Sequence, residues 1–472
     1  MAQTTPRYVN LIIEEEILIS NKKILPRLIA LLLVITVVSS ALSSCWIFNR
    51  NYAGSKEELT ANVEASSDMG YDNVTSYLRL WGFPGFNGMK FAVIEDSFDS
   101  FYNYGDGMPD TYALAKETAK LFIEQCYDTV KLDSVEAVTD ALLSCYVMAL
   151  DDPYSAYRPY EETEYFFEDM SGKFSGIGVM IQQDYKAETI QIDTVYPDSP
   201  AEKAGVRVGD YLIGIDGVSI HEIGLDNVVY HVRGETGTPV DLTLLRDGEE
   251  ITVTAIRAEV EEINAYYEYD EESGLGYISI VSFKDNTFEQ FKASVDALEE
   301  LGARGIVFDL RNNLGGYLDS VVNILSYVVP DNTLIVSYRY KNSEPERLYS
   351  DDAGDEDHVI DVPMVVLCNQ RTASAGEIFT AALRDYNDWN LLDATVVGTT
   401  TFGKGIMQST FTYRIDKSSY TMTVAYYDPP CGVNYHGTGV IPDVEIELEK
   451  DGDNQLDGAY LALQELINAN NN

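Results

Sequence analysis

Val365-Val366-Leu367-Cys368 is followed, after a short turn, by Thr372-Ala373-Ser374-Ala375-Gly376-Glu377-Ile378-Phe379. The first four residues are all apolar, which is typical of a strand that is buried on both faces. The residues from Ala375 to Arg384 have the spacing of apolar side chains that predicts a helix. A buried strand that leads through a turn into a helix favours a mixed α/β fold.

Ser374 lies at the end of this turn, directly before the helix. This position exposes a hydroxyl and points helix N–H groups at any negative charge that develops there. Ser374 is therefore a candidate nucleophile. Serine is also a common N-cap residue, so both interpretations stay open at this point.

A candidate base for that serine lies in Thr401-Phe402-Gly403-Lys404-Gly405-Ile406-Met407-Gln408. The glycines beside Lys404 let other backbone approach and exclude water from the amine, which lowers its pKa. A neutral lysine can accept a serine proton. Gln408 lies four residues later, on the same side of a strand or a helix, where it could orient the amine. The alternative is a solvent-exposed surface lysine in a loop.

The same stretch partly matches a nucleotide-binding P-loop. Gly398 to Lys404 fits the first seven positions, but the eighth is Gly405 instead of the Ser or Thr that binds magnesium. A strand-like segment follows, so nucleotide binding is not expected.

The composition of the 472-residue chain is globular, with 45% hydrophobic residues and length for two to four domains. Its 77 acidic and 32 basic residues give a formal net charge of −45. This charge repels phosphate backbones and anionic lipid headgroups, so nucleic acid is not an expected partner. Any membrane attachment is therefore expected to be covalent or hydrophobic.

Residues 1–45 have the layout of an export signal, with basic, apolar and then small residues. The successive parts are Lys22, Lys23 and Arg27, then Leu28 to Val38, then Leu42-Ser43-Ser44-Cys45. The last four residues resemble a bacterial lipobox, which implies that Cys45 is lipidated and becomes the first mature residue. A signal anchor from Leu28 to Phe48, or simple cleavage, are the alternatives. All three predict that the bulk of the chain is extracytoplasmic.

The remaining cysteines are Cys126, Cys145, Cys368 and Cys431. An exported chain could pair some of them, although nothing in their spacing requires it. No CxxC or Cys/His pattern occurs, and the four histidines are scattered. The sequence therefore predicts no metal site and no cofactor.

Residues 46–68 are polar and loop-like, which is typical of a tether, and residues 69–171 have a helical pattern. Asp133 and Glu136 predict a capping box, and apolar residues then recur at helical spacing. Asp152-Pro-Tyr-Ser155 follows the end of that helix. We interpret residues 69–171 as an N-terminal helical region that packs or guides substrate.

Residues 172–260 change to short strands and turns. Gly176-Ile177-Gly178-Val179 leaves backbone N–H groups uncovered, as capture of a carboxylate requires. Asp198 to Gly205 predicts a short capped helix with Pro200 at its first position. With the turn and strand of Val208 to Gly217, these segments resemble a PDZ domain of the circularly permuted bacterial type. The resemblance implies that Gly176, Ile177, Gly178 and Val179 form the loop that binds a peptide's C-terminal carboxylate.

From 261 to 447 the chain alternates strands and helices. Gly305 to Leu310 predicts a buried strand, Arg311 to Gly316 a loop, and Tyr317 to Val329 a helix. Residues 448–472 predict an acidic, solvated tail with one short amphipathic helix.

The order of these motifs resembles the carboxyl-terminal processing peptidases, the tail-specific serine proteases of family S41. The matching segments are Asp152-Pro-Tyr-Ser155, the PDZ-like region, Asp309 to Gly316, Ser374 to Glu377, Thr401 to Gln408 and Gly439-Val-Ile-Pro-Asp443. The resemblance implies a crotonase/ClpP-like α/β core that is interrupted by an inserted PDZ domain.

The resemblance also implies roles for single residues. It implies that Ser374 is the nucleophile, that Lys404 is the general base and that Gln408 orients the lysine. The oxyanion donors become the backbone N–H groups of Ala375 and of Gly315 or Gly316. Asp385 also falls on a family position, for which we expect a structural role.

Two features depart from the family pattern. Gly376 stands where the family usually has serine, and the 30 positions from Ser374 to Lys404 are a few more than usual. We expect the additional residues in a surface loop within Asp385 to Leu392.

The sequence thus predicts an exported serine endopeptidase that recognises protein C-terminal tails through its PDZ domain. The alternative is a catalytically silent protein that binds such tails without cutting them. The expected partners are protein or peptide substrates and, through the N-terminus, a membrane; a homo-oligomer stays open.

Overall fold

The computed structural model describes residues 55–470 except 84, 351–357 and 451. The predicted export signal, Cys45 and residues 46–54 of the predicted tether lie outside this part of the chain. No helix within the described residues is long and apolar enough to cross a membrane. The described residues contain both helices and strands, which confirms the predicted mixed α/β class.

Five α-helices and a π-helical turn form the N-terminal helical region. They are α1 Lys56–Glu64, α2 Val74–Leu80, α3 Gly88–Phe101, α4 Thr111–Leu121, the π-helical turn Phe122–Cys126 and α5 Val135–Met148. Each α-helix begins after a side chain that accepts a backbone hydrogen bond from its first turn. These caps are Ser55, Asn73, Asn87, Asp110 and Ser134.

Two details of this region correct the sequence prediction. Helix α1 lies in the predicted tether, because a Ser55–Glu58 capping box starts it and Leu59 and Val63 bury their side chains in the helical core. Helix α5 is capped by Ser134, one residue after Asp133, and the Ser134 hydroxyl accepts from the N–H of Ala137 at 3.2 Å.

The segment that resembles a PDZ domain contains a sheet in the order β3-β4-β5-β7-β8, with β6 paired to β5. Its strands are β3 Val179–Asp184, β4 Thr189–Val195, β5 Tyr211–Ile215, β6 Val218–Ser219, β7 Pro239–Arg246 and β8 Glu249–Ile256. Its helices are α7 Pro200–Ala204, α8 Ile220–Ile223 and α9 Val228–Val232, with a 3₁₀ turn at Leu225–Asn227. Strand β3 lies at the sheet edge, where an extended peptide can add as a further strand.

A two-stranded ribbon joins this segment to the rest of the molecule. Its strands are β2 Lys173–Gly176 and β9 Ala258–Glu261, which pair antiparallel. Both connections therefore run through one narrow element.

The core sheet has six strands in the order β10-β11-β12-β15-β16-β19. All neighbours are parallel except β10 and β11. Its strands are β10 Ala265–Asp270, β11 Leu275–Ile280, β12 Ile306–Asp309, β15 Met364–Cys368, β16 Ala394–Gly398 and β19 Val444–Glu445. Helices α10 Thr287–Glu300, α11 Leu318–Val328 and α12 Ala375–Asp388 pack on one face, and α13 Asn454–Asn470 on the other.

A second sheet has the order β1-β18-β13-β14, and β17 also pairs with β18. Its strands are β1 Ala156–Arg158, β13 Leu334–Tyr340, β14 Glu346–Tyr349, β17 Ile406–Thr412 and β18 Ser419–Asp428, and α6 Tyr160–Met170 follows β1. In β18, Met422 and Val424 belong to the core of the helical region, whereas Tyr427 belongs to the core of the parallel sheet. This strand therefore connects the two cores.

The C-terminal segment corrects the prediction of a solvated tail. Helix α13 buries Leu463 and Ile467 against Val307 and Val365 of the core sheet. Asp453 also binds the Arg311 guanidinium at 2.6 Å. The segment is acidic but belongs to the packed structure.

Helix α12 also extends beyond its predicted end. It continues to Asp388, so half of the segment from Asp385 to Leu392, predicted as a surface loop, is helical. The buried Asp385 carboxylate accepts from the N–H of Cys431 at 2.9 Å, which is a structural contact.

Strands β12, β15 and β16 are parallel neighbours, so the loops after them meet at one edge of the sheet. These loops are 310–316, 369–374 and 399–405. Such an edge is where α/β proteins commonly hold their ligands.

Candidate active site

Ser374 occupies a strained turn between β15 and α12. Its backbone angles are φ 56° and ψ −119°, a conformation that residues other than glycine rarely adopt. Thr372 holds the turn by donating from Oγ1 to the carbonyl of Leu310 at 2.7 Å, and the N–H of Ala373 donates to the carbonyl of Asn313 at 2.9 Å. Strain of this kind persists where the surrounding contacts impose it, and it is concentrated at functional sites.

The Gly315-Gly316 loop packs directly on Ser374. A Cβ at Gly315 would lie 2.6 Å from the Ser374 Cβ and 3.0 Å from the Ala375 nitrogen, so only glycine fits there. The Gly315 N–H donates to Asn313 Oδ1 at 2.8 Å. The Gly315 carbonyl accepts a hydrogen bond from the N–H of Phe283, and the N–H of Tyr317 donates to the carbonyl of Phe283. The N–H of Gly316 takes no part in this pair of hydrogen bonds.

Glu377 is a buried carboxylate to which four groups donate. Its Oε1 accepts from Thr401 Oγ1 at 2.5 Å and from the N–H of Gly403 at 2.6 Å. Its Oε2 accepts from the N–H of Lys404 at 2.7 Å and from the N–H of Ser374 at 3.0 Å. Burial raises the pKa of Glu377, and these hydrogen bonds oppose the rise. One side chain thus ties the Ser374 turn to the Lys404 loop.

Tyr427 of β18 forms a second link between the same two segments. Its hydroxyl donates to the carbonyl of Lys404 at 2.6 Å and lies 3.5 Å from Ser374 Oγ. Within the described residues, no hydrogen bond is recorded between the Ser374 hydroxyl and the Lys404 amine. The two candidate catalytic segments therefore meet through Glu377 and Tyr427.

The Lys404 amine lies against an aromatic side chain. Its Nζ is 4.9 Å from the centre of the Tyr154 ring, which in turn contacts the ring of Tyr104. Burial lowers the pKa of Lys404, while the negative charges of Asp152 and Glu377 oppose that shift. Burial thus shifts the pKa of Lys404 in the direction that a role as general base requires.

Gln408 contacts a different partner from the one expected. Its side-chain amide donates to Thr423 Oγ1 at 3.2 Å, and Thr423 Oγ1 donates to Asp152 Oδ2 at 2.9 Å. No bond from Gln408 to the Lys404 amine is recorded in the described part of the chain. Gln408 is therefore linked through Thr423 to Asp152, whose charge acts on the Lys404 amine.

A cavity of about 960 Å³ lies between the PDZ-like segment and the core sheet. All four residues of the predicted carboxylate loop, Gly176, Ile177, Gly178 and Val179, line it. Apolar side chains of α9 and β3 form one wall, and the opposite wall includes Val281 and Leu314 of the core. Leu314, which lines the cavity, directly precedes the Gly315-Gly316 loop that packs on Ser374.

Several of these site residues were not assigned a role from the sequence. Glu377 lies three residues after Ser374, in the Ser-x-x-Glu spacing of a capping box, which is a local signal that could have identified it. Asp152, Tyr154 and Tyr427 carry no such signal, because β-sheet pairing and helix packing bring them to the site from distant parts of the chain. No group of His, Cys, Asp and Glu side chains that could hold a metal ion is found among the described residues.

Comparison with known proteins identifies two regions. Residues 274–446 match the model of peptidase family S41, and residues 191–246 match the model of the PDZ domain. The latter range lies inside the segment that was predicted to be a PDZ domain.

Two curated relatives are similar over most of the chain. The "Probable CtpA-like serine protease" of Staphylococcus haemolyticus is 36% identical over 329 residues, which are 69% of this chain and 64% of that protein. The "Carboxy-terminal processing protease CtpA" of Bacillus subtilis is 31% identical over 331 residues, which are 69% of this chain and 68% of that protein. The match thus spans slightly less than two thirds of the staphylococcal relative.

Among solved structures, the photosystem II D1 C-terminal processing protease is similar at 25% sequence identity with a TM-score of 0.46. The match covers 76% of this chain and 92% of that one. The sequence matches, not this structural likeness, assign the family: the chain belongs to peptidase family S41 and carries a PDZ domain.

Proposed function

We propose that this protein is a serine endopeptidase that holds the C-terminal tail of a protein substrate in its PDZ groove and cuts the chain with Ser374 and Lys404. The observation that carries the proposal is the strained Ser374 turn, which packs on Gly315-Gly316 and shares the carboxylate of Glu377 with the Lys404 loop.

In the proposed reaction, the neutral Lys404 amine takes the proton of the Ser374 hydroxyl as Oγ attacks the substrate carbonyl. The backbone N–H groups of Ala375 and Gly316 donate to the oxyanion, because the Gly315 N–H already donates to Asn313. The lysine returns the proton to the leaving amine, and a water molecule then hydrolyses the acyl-enzyme. The serine–lysine hydrogen bond forms when substrate binds, since such bonds are often long in unliganded enzymes.

The PDZ groove is the part of the cavity that is lined by the carboxylate loop, β3 and α9. There the N–H groups of the carboxylate loop hold the C-terminal carboxylate, and the tail adds as a strand to the edge of β3. Val228 and Val232 of α9 present apolar side chains to the groove, which favours an apolar last residue. The cavity between this groove and the Leu314 loop supports delivery of the upstream chain to Ser374.

The test is cleavage of an unstructured protein with an apolar C-terminus. The parent protein is expected to cut it, and amidation of the C-terminal carboxyl group is expected to raise KM about tenfold or more, since the carboxylate contact is lost. Binding of the tail without cleavage would instead indicate the tail-binding protein that was the sequence-based alternative.

Val232→Asp is expected to reproduce the effect of amidation, because it puts a negative charge in the apolar groove beside the substrate carboxylate. Val218→Asp is the matched control, since Val218 lies on β6, is 42% exposed and does not line the cavity. Thermal unfolding checks that the domain still folds in both variants. Equal KM values for the two variants would contradict the assigned groove.

Asp152→Asn tests the environment of Lys404 through the pH dependence of kcat/KM. The Asp152 charge raises the pKa of Lys404. Its removal should therefore let the amine become neutral at lower pH, which shifts the acid limb of the profile to lower pH. Asp151→Asn is the control, because Asp151 is exposed and asparagine tolerates its φ of 54°. An acid limb at the same pH as in the parent protein, or an equal shift in both variants, would contradict the effect of Asp152 on the pKa of Lys404.

For localisation, we propose that residues 1–45 export the chain and attach it to a bacterial membrane, through lipidated Cys45 or a signal anchor. The support is the Leu42-Ser-Ser-Cys45 pattern after a basic and apolar stretch. A lipoprotein would incorporate labelled palmitate and would lose the label in Cys45→Ala, whereas a signal anchor would carry no label in either protein.

A further inference from the structure

Two cysteines lie side by side in the N-terminal helical region. The sulfur atoms of Cys126 and Cys145 are 3.6 Å apart, and both residues are recorded as free thiols. A disulfide needs about 2.05 Å between its sulfurs, a distance that small side-chain rotations can close from here. The remaining two described cysteines differ from this pair, since Cys368 is buried in the core sheet and Cys431 is exposed.

The backbone on both sides of the pair is held by hydrogen bonds. Cys126 ends the π-helical turn, in which the N–H of Tyr127 donates to the carbonyl of Phe122 at 2.9 Å. The carbonyl of Cys126 accepts from the N–H of Val130 at 2.8 Å, and that of Cys145 from the N–H of Ala149 at 2.9 Å. The two sulfurs are therefore kept near each other by secondary structure. π-Helical turns are often found at functional positions.

The two thiols differ in their access to solvent. Cys126 is half-buried, whereas Cys145 is 1% exposed within the helical core. Burial also raises the pKa of Cys145. A reagent from solution can therefore reach Cys126 first. Cys145 can react only after the reagent has become bound to Cys126.

We propose that Cys126 and Cys145 form an intramolecular disulfide that closes when the protein meets an oxidising disulfide. The Cys126 thiolate attacks the oxidant, for example oxidised glutathione, which gives a mixed disulfide and releases one thiol. The Cys145 thiolate then attacks the Cys126 sulfur and releases the second thiol. Two protein thiols are oxidised, one oxidant disulfide is reduced, and the two protons end on the released thiols.

The disulfide would join the π-helical turn to α5 near its C-terminal end. Helix α5 leads within a few residues to Asp152 and Tyr154, which act on the Lys404 amine. The disulfide would therefore be attached to the helix that leads to these two side chains. This inference rests on the cysteine geometry and does not depend on the proposed peptidase activity.

The test uses the full-length chain in mild detergent, first reduced and then incubated with oxidised glutathione. Peptide mapping without reductant should find Cys126 linked to Cys145, and the oxidised protein should have lost two hydrogen atoms in mass. The thermal midpoint should rise by roughly 3–5 °C, since the link constrains the unfolded chain.

Cys126→Ser and, as a second variant, Cys145→Ala should each abolish both the link and the rise in Tm. Cys431→Ser is the control and should keep both, because Cys431 is exposed and distant in the chain. Glutathione that stays on Cys126, a link to a different cysteine, or an unchanged Tm in the linked protein would overturn the proposal.

Discussion

Ser374→Ala is expected to reduce kcat for cleavage of an apolar-tailed substrate by roughly 10⁴-fold or more, because no other group can form the acyl-enzyme. Lys404→Ala should cause a loss of similar size, since the serine proton then has no acceptor. Lys404→Arg should not restore activity, because a guanidinium stays charged. Tail binding should be unchanged in all three variants, as the PDZ groove does not include these residues.

The measurement is single-turnover cleavage combined with tail affinity measured by fluorescence anisotropy. Lys120→Ala is the control for loss of a lysine, since Lys120 lies exposed on α4. In the parent protein, kcat/KM should rise with pH through the pKa of Lys404, which burial lowers below its usual value. The ring of His436 contacts that of Tyr104, beside the Tyr154 ring that faces the Lys404 amine. A Lys404→Ala variant that stays active, but loses its activity when His436 is also replaced, would move the role of base to that histidine.

Glu377→Gln is expected to cause the second large effect, a fall in kcat with little change in tail affinity. The Glu377 carboxylate accepts two hydrogen bonds at each oxygen, and these bonds hold both Ser374 and Lys404. The amide of glutamine has one acceptor oxygen, so its NH₂ group would face two donors. Each buried donor left without a partner costs about 1–3 kcal/mol, which is enough to displace the two loops. We therefore expect kcat to fall by about 10²-fold or more, with a lower Tm.

Glu95→Gln is a matched control, since Glu95 is also a buried glutamate but lies on α3 in the helical region. Burial raises the pKa of Glu95 to about 7. Its ionised form is therefore unfavourable in the folded protein, and stability is lost as pH rises from its usual pKa to about 7. Glutamine should then preserve activity and should raise Tm at pH 8. If Glu377→Gln kept full kcat while Tm fell, Glu377 would have only a structural role.

A readout of position separates the two possible roles of Glu377. An active-site fluorophosphonate should label Ser374 more slowly in Glu377→Gln, even at temperatures where the variant is fully folded. Equal labelling rates in the parent and the variant would argue that Ser374 is placed correctly without this carboxylate.

Local patterns were sufficient for much of the fold. The all-apolar runs at 306–308 and 365–368 predicted β12 and β15, because a strand covered on both faces requires such runs. Proline after a capping serine predicted α7 at Pro200–Ala204. Short motifs with defined spacing also identified Ser374 and Lys404 as candidates. Ser374 lies in a turn between a strand and a helix, and Lys404 lies between two glycines.

Local patterns failed where packing outweighed composition. Residues 56–64 were predicted to be loop-like, and the amphipathic helix predicted within 448–472 was expected to be solvated, yet each segment forms a helix that buries a few apolar side chains. A small number of buried residues is enough to order such a helix. The overall composition of the segment does not reveal them.

The sequence by itself determined the fold class, the order of the segments and the two candidate reactive side chains, because these depend on neighbours within a few residues. Only the tertiary structure decided what surrounds those side chains. Tyr154 reaches Lys404 from 250 positions away, and Tyr427 reaches Ser374 across the pairing of separate strands. Gln408 shows the same limit: its spacing from Lys404 suggested a direct contact, whereas the pairing of β17 with β18 directs its amide to Thr423. Sheet register and helix packing set such contacts, and neither is encoded in spacing along one segment.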